Sequence, residues 1–271
     1  MNKDILDFFY NINFNNIDIK YKYFDLVLSG GGFKSFYHIG LCKILKELEY
    51  NDKIKIRNII GTSSGAISAV IYACNIDFDI WFEAYYDIKD NINNSDLHRA
   101  VIKTLKNKLP NDAYLKCNNK VKISVSKLTM FGFYEETIDY FTSNDHLISV
   151  ISASIKIPFL TSNSIIGQKI NNSFCYDGFF SRISPVIHNN DLPQLLVRTQ
   201  KVIYSHNLIF KPADSYIELL SLRGLYESKK FLKNEIVNKI MCWIPPNKSK
   251  KIKNKLYIIV PIIFYFIPKF L

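Results

Sequence analysis

The sequence predicts an α/β fold in three layers, with a central, mainly parallel sheet covered by helices. Two consecutive strand, glycine turn and helix units support this prediction. In the first, Phe24–Gly30 has the composition of a buried strand and Phe33–Leu48 has helical spacing of its apolar residues. In the second, Ile56–Ile60 is a predicted strand and Ala66–Cys74 opens a helix. This order predicts parallel pairing, with both glycine turns at the carboxyl edge of the sheet, where ligands bind.

The elements after these units continue the α/β pattern. Residues 77–119 are mostly helical in pattern, and Lys120–Leu128 and Ser205–Phe210 alternate like strands. A capping box at Ser215–Glu218 predicts a helix that runs toward Ile240. We divide the chain into a leading segment (1–23), a core (24–190), a C-terminal part of the same domain (191–247) and a basic, hydrophobic tail (248–271).

Composition limits the classes of partner. The hydrophobic fraction of 48% is ample for a packed core, and the formal net charge of +11 favours anionic surfaces. Zinc-finger spacing, an RNP-like segment and an Arg-rich helix are all missing from the sequence, so we expect no nucleic-acid partner.

The cysteines and the first residues indicate the compartment. The five cysteines are odd in number and form no C-x-x-C pair, which is a poor disulfide framework and a poor metal site. The first residues lack the basic-then-apolar order of a secretory signal. We therefore expect a cytoplasmic protein without a metal site.

Glycine is scarce in this chain but clustered. Seven of the 10 glycines fall in three short motifs, which indicates tight turns or close backbone approach. The first motif, Gly61–Gly65, has the sequence GTSSG between a predicted strand and helix, the context of a nucleophile elbow. The turn would expose the Ser63 hydroxyl, with Gly61 and Gly65 making room for it. The alternative is an ordinary strand–helix turn capped by Ser64.

A second motif, Ser29–Ser35, places three glycines in front of a helix. Its spacing fits neither a Walker loop nor a Rossmann fingerprint, so we interpret it as an anion hole that faces Ser63. The candidate donors are the backbone groups of Gly30, Gly31, Gly32, Phe33 and Lys34. The Lys34 side chain is either a solvated residue at the helix start or a cation near an oxyanion or phosphate.

Taken together, the motifs resemble those of patatin-like phospholipases. That family carries G-G-G-x-[KR]-G followed by a helix with a further glycine, then G-x-S-x-G, and then Asp-Gly-Gly or Asp-Gly-Ala. The corresponding segments here are Gly30–Ser35 with Gly40, Gly61–Gly65 and Asp177–Phe179, supplemented by Ala153–Pro158 and Pro185. The resemblance covers about residues 24–190, and three motifs in order are far more specific than one.

The resemblance implies a patatin-like fold with a Ser–Asp dyad and without a catalytic histidine. Asp177, supported by Gly178, would accept the proton of Ser63 directly. The implied reaction is hydrolysis of a carboxylic ester in membrane phospholipids or other acyl lipids, with no metal or organic cofactor.

Two residues depart from the family pattern. Ser35 stands where the glycine loop ends in Gly, and Phe179 stands where the Asp triplet ends in Gly or Ala. A phenyl ring beside the catalytic acid would narrow the pocket or shift Asp177. The alternative function is therefore a catalytically inactive lipid-binding or membrane-scaffolding protein of the same fold.

The residues alone also allow a catalytic triad. The chain order Ser63, Asp177 and then His188 or His206 suits the serine, acid and histidine of an α/β-hydrolase.

The C-terminal tail predicts membrane contact. The lysine-rich stretch Lys248–Lys255 precedes the apolar stretch Leu256–Leu271. The uncharged part, Leu256–Ile267, would reach about 18 Å as a helix, short of the ~30 Å hydrocarbon core, and Pro261 interrupts it. We expect the tail to hold the protein at an anionic membrane surface, either peripherally or as a tail anchor. The alternative is that it packs into the core.

Overall fold

A mixed sheet lies at the centre of the fold in the computed structural model, which describes residues 17, 19–92, 96–187, 191–202, 214–236 and 239–246. The strands are β1 (Tyr23–Leu28), β2 (Lys55–Thr62), β3 (Val121–Thr129), β4 (Gly132–Ile138), β5 (Gln168–Ile170), β6 (Ser173–Asp177), β7 (Gln194–Val197) and β8 (Met241–Ile244). Their order is β5-β6-β3-β2-β1-β7-β8, and β4 pairs with β3 outside this path.

Helices cover both faces of the sheet. Within the described ranges they are α1 (Tyr37–Tyr50), α2 (Ser64–Ala73), α3 (Phe78–Ile92), α4 (Leu97–Lys108), α5 (Ala113–Cys117), α6 (Asn144–Ser154) and α7 (Asp214–Leu232). The central strands β7, β1, β2 and β3 pair in parallel, whereas β4, β5, β6 and β8 join antiparallel. The predicted α/β fold with a mainly parallel centre is confirmed, and its flanking strands make the sheet mixed.

The sheet separates two apolar clusters. Leu26 and Leu28 of β1 point into the larger cluster, while Val27 between them belongs to a smaller one with Ile60 and Leu196. Because side chains alternate along a strand, these clusters lie on opposite faces. β1 is buried from Phe24 to its end, as expected for a strand covered on both sides.

Two predicted bounds near the glycine turns need correction. The helix predicted from Phe33 begins as a 3-10 turn and becomes α-helical at Tyr37. The second strand extends through Gly61 and Thr62, because both residues still pair with β3. Only Ser63 therefore makes the turn into α2.

The last predicted helix is shorter than expected. It ends at Leu232 and not near Ile240, and Asn234 just beyond it has a left-handed φ of 59°. The predicted strand Ser205–Phe210 and the tail 248–271 lie outside the described residues.

α1 and α7 pack with backbone against backbone. A Cβ atom added to Gly40 would lie 2.1 Å from the Ser221 carbonyl oxygen, and one added to Gly224 would lie 2.0 Å from the Tyr37 carbonyl oxygen. Any side chain at either position would force the helices apart. The glycine that accompanies the loop motif, Gly40, therefore serves helix packing.

β3 aligns the ends of two other strands. β4 occupies one edge of β3, so β2 and β6 share the opposite edge. Thr62 of β2 pairs with Ser124, and Asp177 of β6 pairs with the next residue, Val125. Because β2 runs parallel and β6 antiparallel to β3, the two strands approach from opposite directions and their ends meet.

Candidate active site

The junction of β2 and β6 brings the predicted nucleophile and base together. Ser63 directly follows β2, and its Oγ donates a hydrogen bond to Oδ2 of Asp177 at 2.6 Å. The bond is direct, so no other side chain stands between the two groups. Ser63 is partly exposed, whereas Asp177 is fully buried. The arrangement matches that of a nucleophile accessible to substrate and a carboxylate shielded from water.

Ser63 occupies a strained turn between β2 and α2. Its φ of 53° and ψ of −132° are unusual for a residue with a side chain and cost about 1–3 kcal/mol. Gly61 and Gly65 allow the strand end and the helix start to approach: a Cβ on Gly65 would lie 2.3 Å from the Leu28 carbonyl oxygen. This is the geometry of a nucleophile elbow. Ser64 is the first helical residue and does not cap the helix.

Ser154 at the end of α6 holds the elbow in place. Its Oγ accepts a hydrogen bond from the Ser63 N–H at 2.9 Å and donates one to the Ser124 carbonyl oxygen at 2.8 Å. The fully buried hydroxyl thereby ties the elbow to β3. The sequence marks this segment only through its resemblance to the family and gives no sign of this role.

We expect Ser154→Ala to lower kcat for a soluble ester by about 10- to 100-fold and to change KM little, because small displacements of a reacting group are costly. The variant would leave the Ser63 N–H unpaired at a cost of about 1–3 kcal/mol. Ser149→Ala removes another hydroxyl of α6, one that accepts from Gln168, and is the control for fold stability. Equal kcat values for both variants would contradict a positioning role.

Burial raises the pKa of Asp177. Desolvation of the fully buried carboxyl raises it to about 7, and the hydrogen bonds from the Ser63 hydroxyl and the Phe179 N–H oppose that rise. A base with a pKa near neutrality accepts a proton far better than an ordinary Asp. The carboxylate position suits proton abstraction from Ser63.

Neighbouring residues hold the Asp177 carboxylate in place. The Phe179 N–H donates to Oδ1 of Asp177 at 2.9 Å. A Cβ on Gly178 would lie 2.1 Å from Thr62 Oγ1, so the triplet sits directly against the end of β2. The Phe179 ring is 39% exposed and lines the cavity described below, while the 2.6 Å contact between Ser63 and Asp177 remains intact.

The glycine loop lies against Ser63, the predicted nucleophile. Gly30 is so close that an added Cβ would be 2.6 Å from the Ser63 Cβ. The Gly31 N–H donates to Ser64 Oγ at 3.1 Å, and the Lys34 N–H donates to the Gly31 carbonyl oxygen at 3.1 Å. Gly32 has a left-handed φ of 55°, which favours glycine.

The three remaining residues of the loop, Phe33, Lys34 and Ser35, differ in their surroundings. Ser35 donates from Oγ to the Gly32 carbonyl oxygen at 2.6 Å, so the departure from glycine closes the turn with a hydrogen bond. The Lys34 side chain is largely buried, and burial lowers its pKa. Phe33 borders the cavity together with the three glycines, whereas Lys34 does not.

A segment beyond the three motifs supports the loop from behind. Thr199 donates from its N–H to Ser29 Oγ and from Oγ1 to the Gly30 carbonyl oxygen, both at 3.0 Å. Ser29 in turn donates to Oε1 of Gln200 at 2.6 Å. Sequence reasoning missed these contacts, because Thr199 and Gln200 carry no motif and are about 170 residues from the loop.

An apolar cavity of about 380 Å³ opens at the Ser63 hydroxyl. Its walls come mainly from α3, α4 and the segment after α6. The apolar lining includes Ile67, Ile71, Trp81, Tyr85, Ile88, Leu97, Val101, Leu105, Ile155, Ile157, Leu160 and Ile183. The cavity has the character of a site for a hydrocarbon chain with the reacting group at one end.

Comparison with known proteins identifies the family of this chain. A family model for patatin-like phospholipases matches residues 26–189. The human protein named omega-hydroxyceramide transacylase is 25% identical over 144 residues, 48% of this chain and 26% of the relative. The mouse protein named 1-acylglycerol-3-phosphate O-acyltransferase Pnpla3 is 23% identical over 171 residues, 60% of this chain and 40% of the relative. The chain thus spans less than half the length of either relative.

The family match covers more than half of the chain and includes the glycine loop, the Ser63 elbow and Asp177 in the family's order. The chain belongs to the patatin-like phospholipase family.

Proposed function

We propose that this protein is a lipid acyl hydrolase in which Ser63 is the nucleophile and Asp177 the base. The observation that carries the proposal is the 2.6 Å hydrogen bond from Ser63 Oγ to Asp177 at the mouth of an apolar cavity. Substrates are membrane phospholipids or other acyl lipids, whose hydrocarbon chain would occupy the cavity. The fully buried Asp177 supplies the base strength that an exposed carboxylate lacks.

The reaction follows from the positions of these groups. Asp177 takes the Ser63 proton while Oγ forms a bond to the acyl carbonyl carbon, giving a tetrahedral intermediate. The intermediate collapses with cleavage of the ester bond, and Asp177 returns the proton to the leaving alcohol. A water molecule then gives a proton to Asp177 while its oxygen bonds to the carbonyl carbon of the acyl-serine. When this second intermediate collapses, the bond to Ser63 Oγ breaks, the fatty acid leaves, and Asp177 returns the proton to Oγ.

Gly32 and Phe33 are the proposed oxyanion donors. They begin the 3-10 turn, so their N–H groups have no acceptor within it, and both residues border the cavity. The N–H groups of Gly31 and Lys34 already donate to Ser64 Oγ and to the Gly31 carbonyl oxygen, respectively. Donors aimed at the developing negative charge provide a large share of the acceleration in acyl transfer.

A fluorophosphonate probe tests the proposal against a catalytically inactive lipid-binding protein. Only an activated serine reacts, so we expect covalent labelling of Ser63 in the parent chain and none in Ser63→Ala. Ser173→Ala, at an unrelated position near the start of β6, should label like the parent. An unlabelled parent would favour the lipid-binding alternative.

Acyl transfer to a second lipid is the other candidate reaction. It is favoured by the names of both relatives, a transacylase and an acyltransferase. The two reactions share the acyl-serine and differ in whether water or a lipid hydroxyl attacks it. Incubation with an acyl lipid and a lysophospholipid or diacylglycerol acceptor, followed by product analysis, distinguishes free fatty acid from newly acylated acceptor.

We expect alanine at His188 and at His206, both outside the described residues, to leave most of the activity. The reason is that Ser63 donates directly to Asp177. Activity should fall as pH drops below about 7, because the pKa of Asp177 is about 7 and only the carboxylate accepts a proton. A histidine base would titrate in the same range, so the pH profile of kcat/KM must be measured on the variants. Loss of activity in either variant would favour the triad.

We expect deletion of residues 248–271 to release the protein from anionic vesicles and to spare hydrolysis of a soluble short-chain ester. Each lysine near an anionic leaflet contributes ~1 kcal/mol of attraction. The described helices include none with the length and apolar character needed to cross a membrane. We propose peripheral or tail-mediated attachment on the cytoplasmic side, because the lysines of the tail would attract anionic lipid. If the truncated protein lost vesicle binding and ester hydrolysis together, the tail would instead belong to the core.

A further inference from the structure

The turn between β3 and β4 presents two large apolar side chains to solvent. Met130 and Phe131 are each 97% exposed. The turn itself is well ordered by hydrogen bonds, since Thr129 Oγ1 donates to the Gly132 carbonyl oxygen at 2.8 Å and accepts from the Phe131 N–H at 3.2 Å. The two side chains are therefore held outward by a defined turn.

This turn projects beyond the edge of the sheet that carries the active site. β2 ends opposite Ser124, and Ser63 follows immediately. β3 continues from Ser124 to Thr129, which at 3.3 Å per residue carries the turn about 16 Å past that level. Met130 and Phe131 thus stand above the edge at which the cavity opens.

An apolar surface connects the cavity mouth to the turn. Phe179 lines the cavity, and its ring lies 6.5 Å from that of Phe180. The Phe180 ring stacks on Phe133 of β4 at 4.9 Å, and Phe133 pairs with the partly exposed Leu128 of β3. Phe131 precedes Phe133 by two residues, so this row of apolar side chains leads from the cavity to the strand beside the turn.

Charge at this surface does not oppose contact with lipid. The stretch Lys127–Tyr134 contains no carboxylate. The next two residues are acidic, but Glu135 pairs with Arg182 at 3.1 Å and Glu136 pairs with Lys127 at 3.5 Å. Insertion of the turn would therefore bury no isolated negative charge.

We propose that the turn with Met130 and Phe131 inserts into the surface of a phospholipid bilayer and seats the cavity mouth on it. Two side chains on a projecting turn offer far less than the roughly 800 Å² per partner of a stable protein interface, but they penetrate a fluid apolar layer easily. The proposal rests on the proposed function in one respect, because that function explains why the mouth of the cavity should face lipid. It differs from attachment through the tail, because apolar insertion is not weakened by salt, whereas attraction of lysines to anionic lipid is screened.

Vesicle binding of the full chain tests the proposal. With neutral phosphatidylcholine vesicles in 1 M salt, we expect the double variant Met130→Ser/Phe131→Ser to have a partition coefficient at least roughly tenfold lower than that of the parent. The matched control is Tyr50→Ser, which removes an aromatic residue that is 89% exposed at the end of α1, the opposite edge of the sheet. Hydrolysis of a soluble short-chain ester should be unchanged in both variants.

A spectroscopic measurement keeps the test independent of activity. Vesicles with brominated acyl chains should quench Phe131→Trp more strongly than the parent, whose two native tryptophans set the background. Tyr50→Trp should show no quenching beyond that background. Quenching without ester hydrolysis in the parent would support the insertion and contradict the proposed function. An unquenched Phe131→Trp variant or unchanged partitioning of the double variant would overturn the insertion.

Discussion

Ser63→Ala and Asp177→Asn should each lower kcat/KM for a lipid ester by at least about a thousandfold, and the double variant should lose no more than either single variant. In the proposed mechanism the two groups act as one unit, because the 2.6 Å hydrogen bond places Asp177 to accept the proton that leaves Ser63. The measurement is steady-state hydrolysis of a soluble ester and of a phospholipid, at a pH above 7.

Controls for this pair must remove similar groups elsewhere. Ser173→Ala and Asp139→Asn change a surface hydroxyl and a surface carboxylate, the latter paired with Lys122 at 2.6 Å. Both should keep nearly full activity, since exposed ion pairs contribute little to stability. Substantial activity in Asp177→Asn would show that another group serves as the base.

The same Asp177→Asn variant should be more stable than the parent at neutral and higher pH. The pKa of Asp177 is 3.8 in the unfolded chain and about 7 in the folded one, so the folded chain binds the proton more tightly. The free energy of unfolding of the parent therefore falls by up to about 4 kcal/mol as pH rises from about 4 to about 7. Asparagine does not titrate, so the variant does not show this decrease. Urea unfolding at several pH values should show an advantage that grows toward pH 7 and then stays constant.

Gly224→Ala should lower the free energy of unfolding by about 2–4 kcal/mol. In an exposed helix this change would instead stabilise by about 1 kcal/mol, because alanine is the better helix former. Here the added Cβ would lie 2.0 Å from the Tyr37 carbonyl oxygen, so α7 must move away from α1. The steric clash therefore outweighs the gain in helix propensity, and the net effect on stability is a loss.

Thermal and urea unfolding measure this effect, with Leu219→Ala as the control. Leu219 lies on the same helix but is 62% exposed, so its loss should change stability little. A single unfolding transition in the parent and both variants would support our assignment of residues 191–247 to the same domain as the core. Increased stability of Gly224→Ala would contradict the close packing of the two helices.

Local sequence patterns predicted the parts of the site that lie within one strand–turn–helix unit. Ser63 was identifiable because a nucleophile elbow needs small residues on both sides within five positions. Asp177 carries no such local requirement, and its proposed role came from the order of three motifs that resemble a family.

Support from distant chain segments was not predictable. Ser154 and Thr199 each act through a single hydroxyl that meets the site only after folding. A lone Ser or Thr in a buried element looks the same in the sequence whether it bonds to the nucleophile or to its own helix. The pairing of β6 with β3 was likewise invisible, because antiparallel pairing at that edge depends on the tertiary fold.

The alignment of β2 and β6 along β3 has a consequence for how such proteins diverge. Adjacent residues of one strand, Ser124 and Val125, set the spacing of the reacting pair, whereas the cavity walls come largely from α3 and α4, which lie between β2 and β3 in the chain. Under the proposed function, mutations that reshape those two helices would alter which hydrocarbon chain fits and would leave the reacting pair in place. Lipid preference and bond cleavage would then be inherited as separable traits.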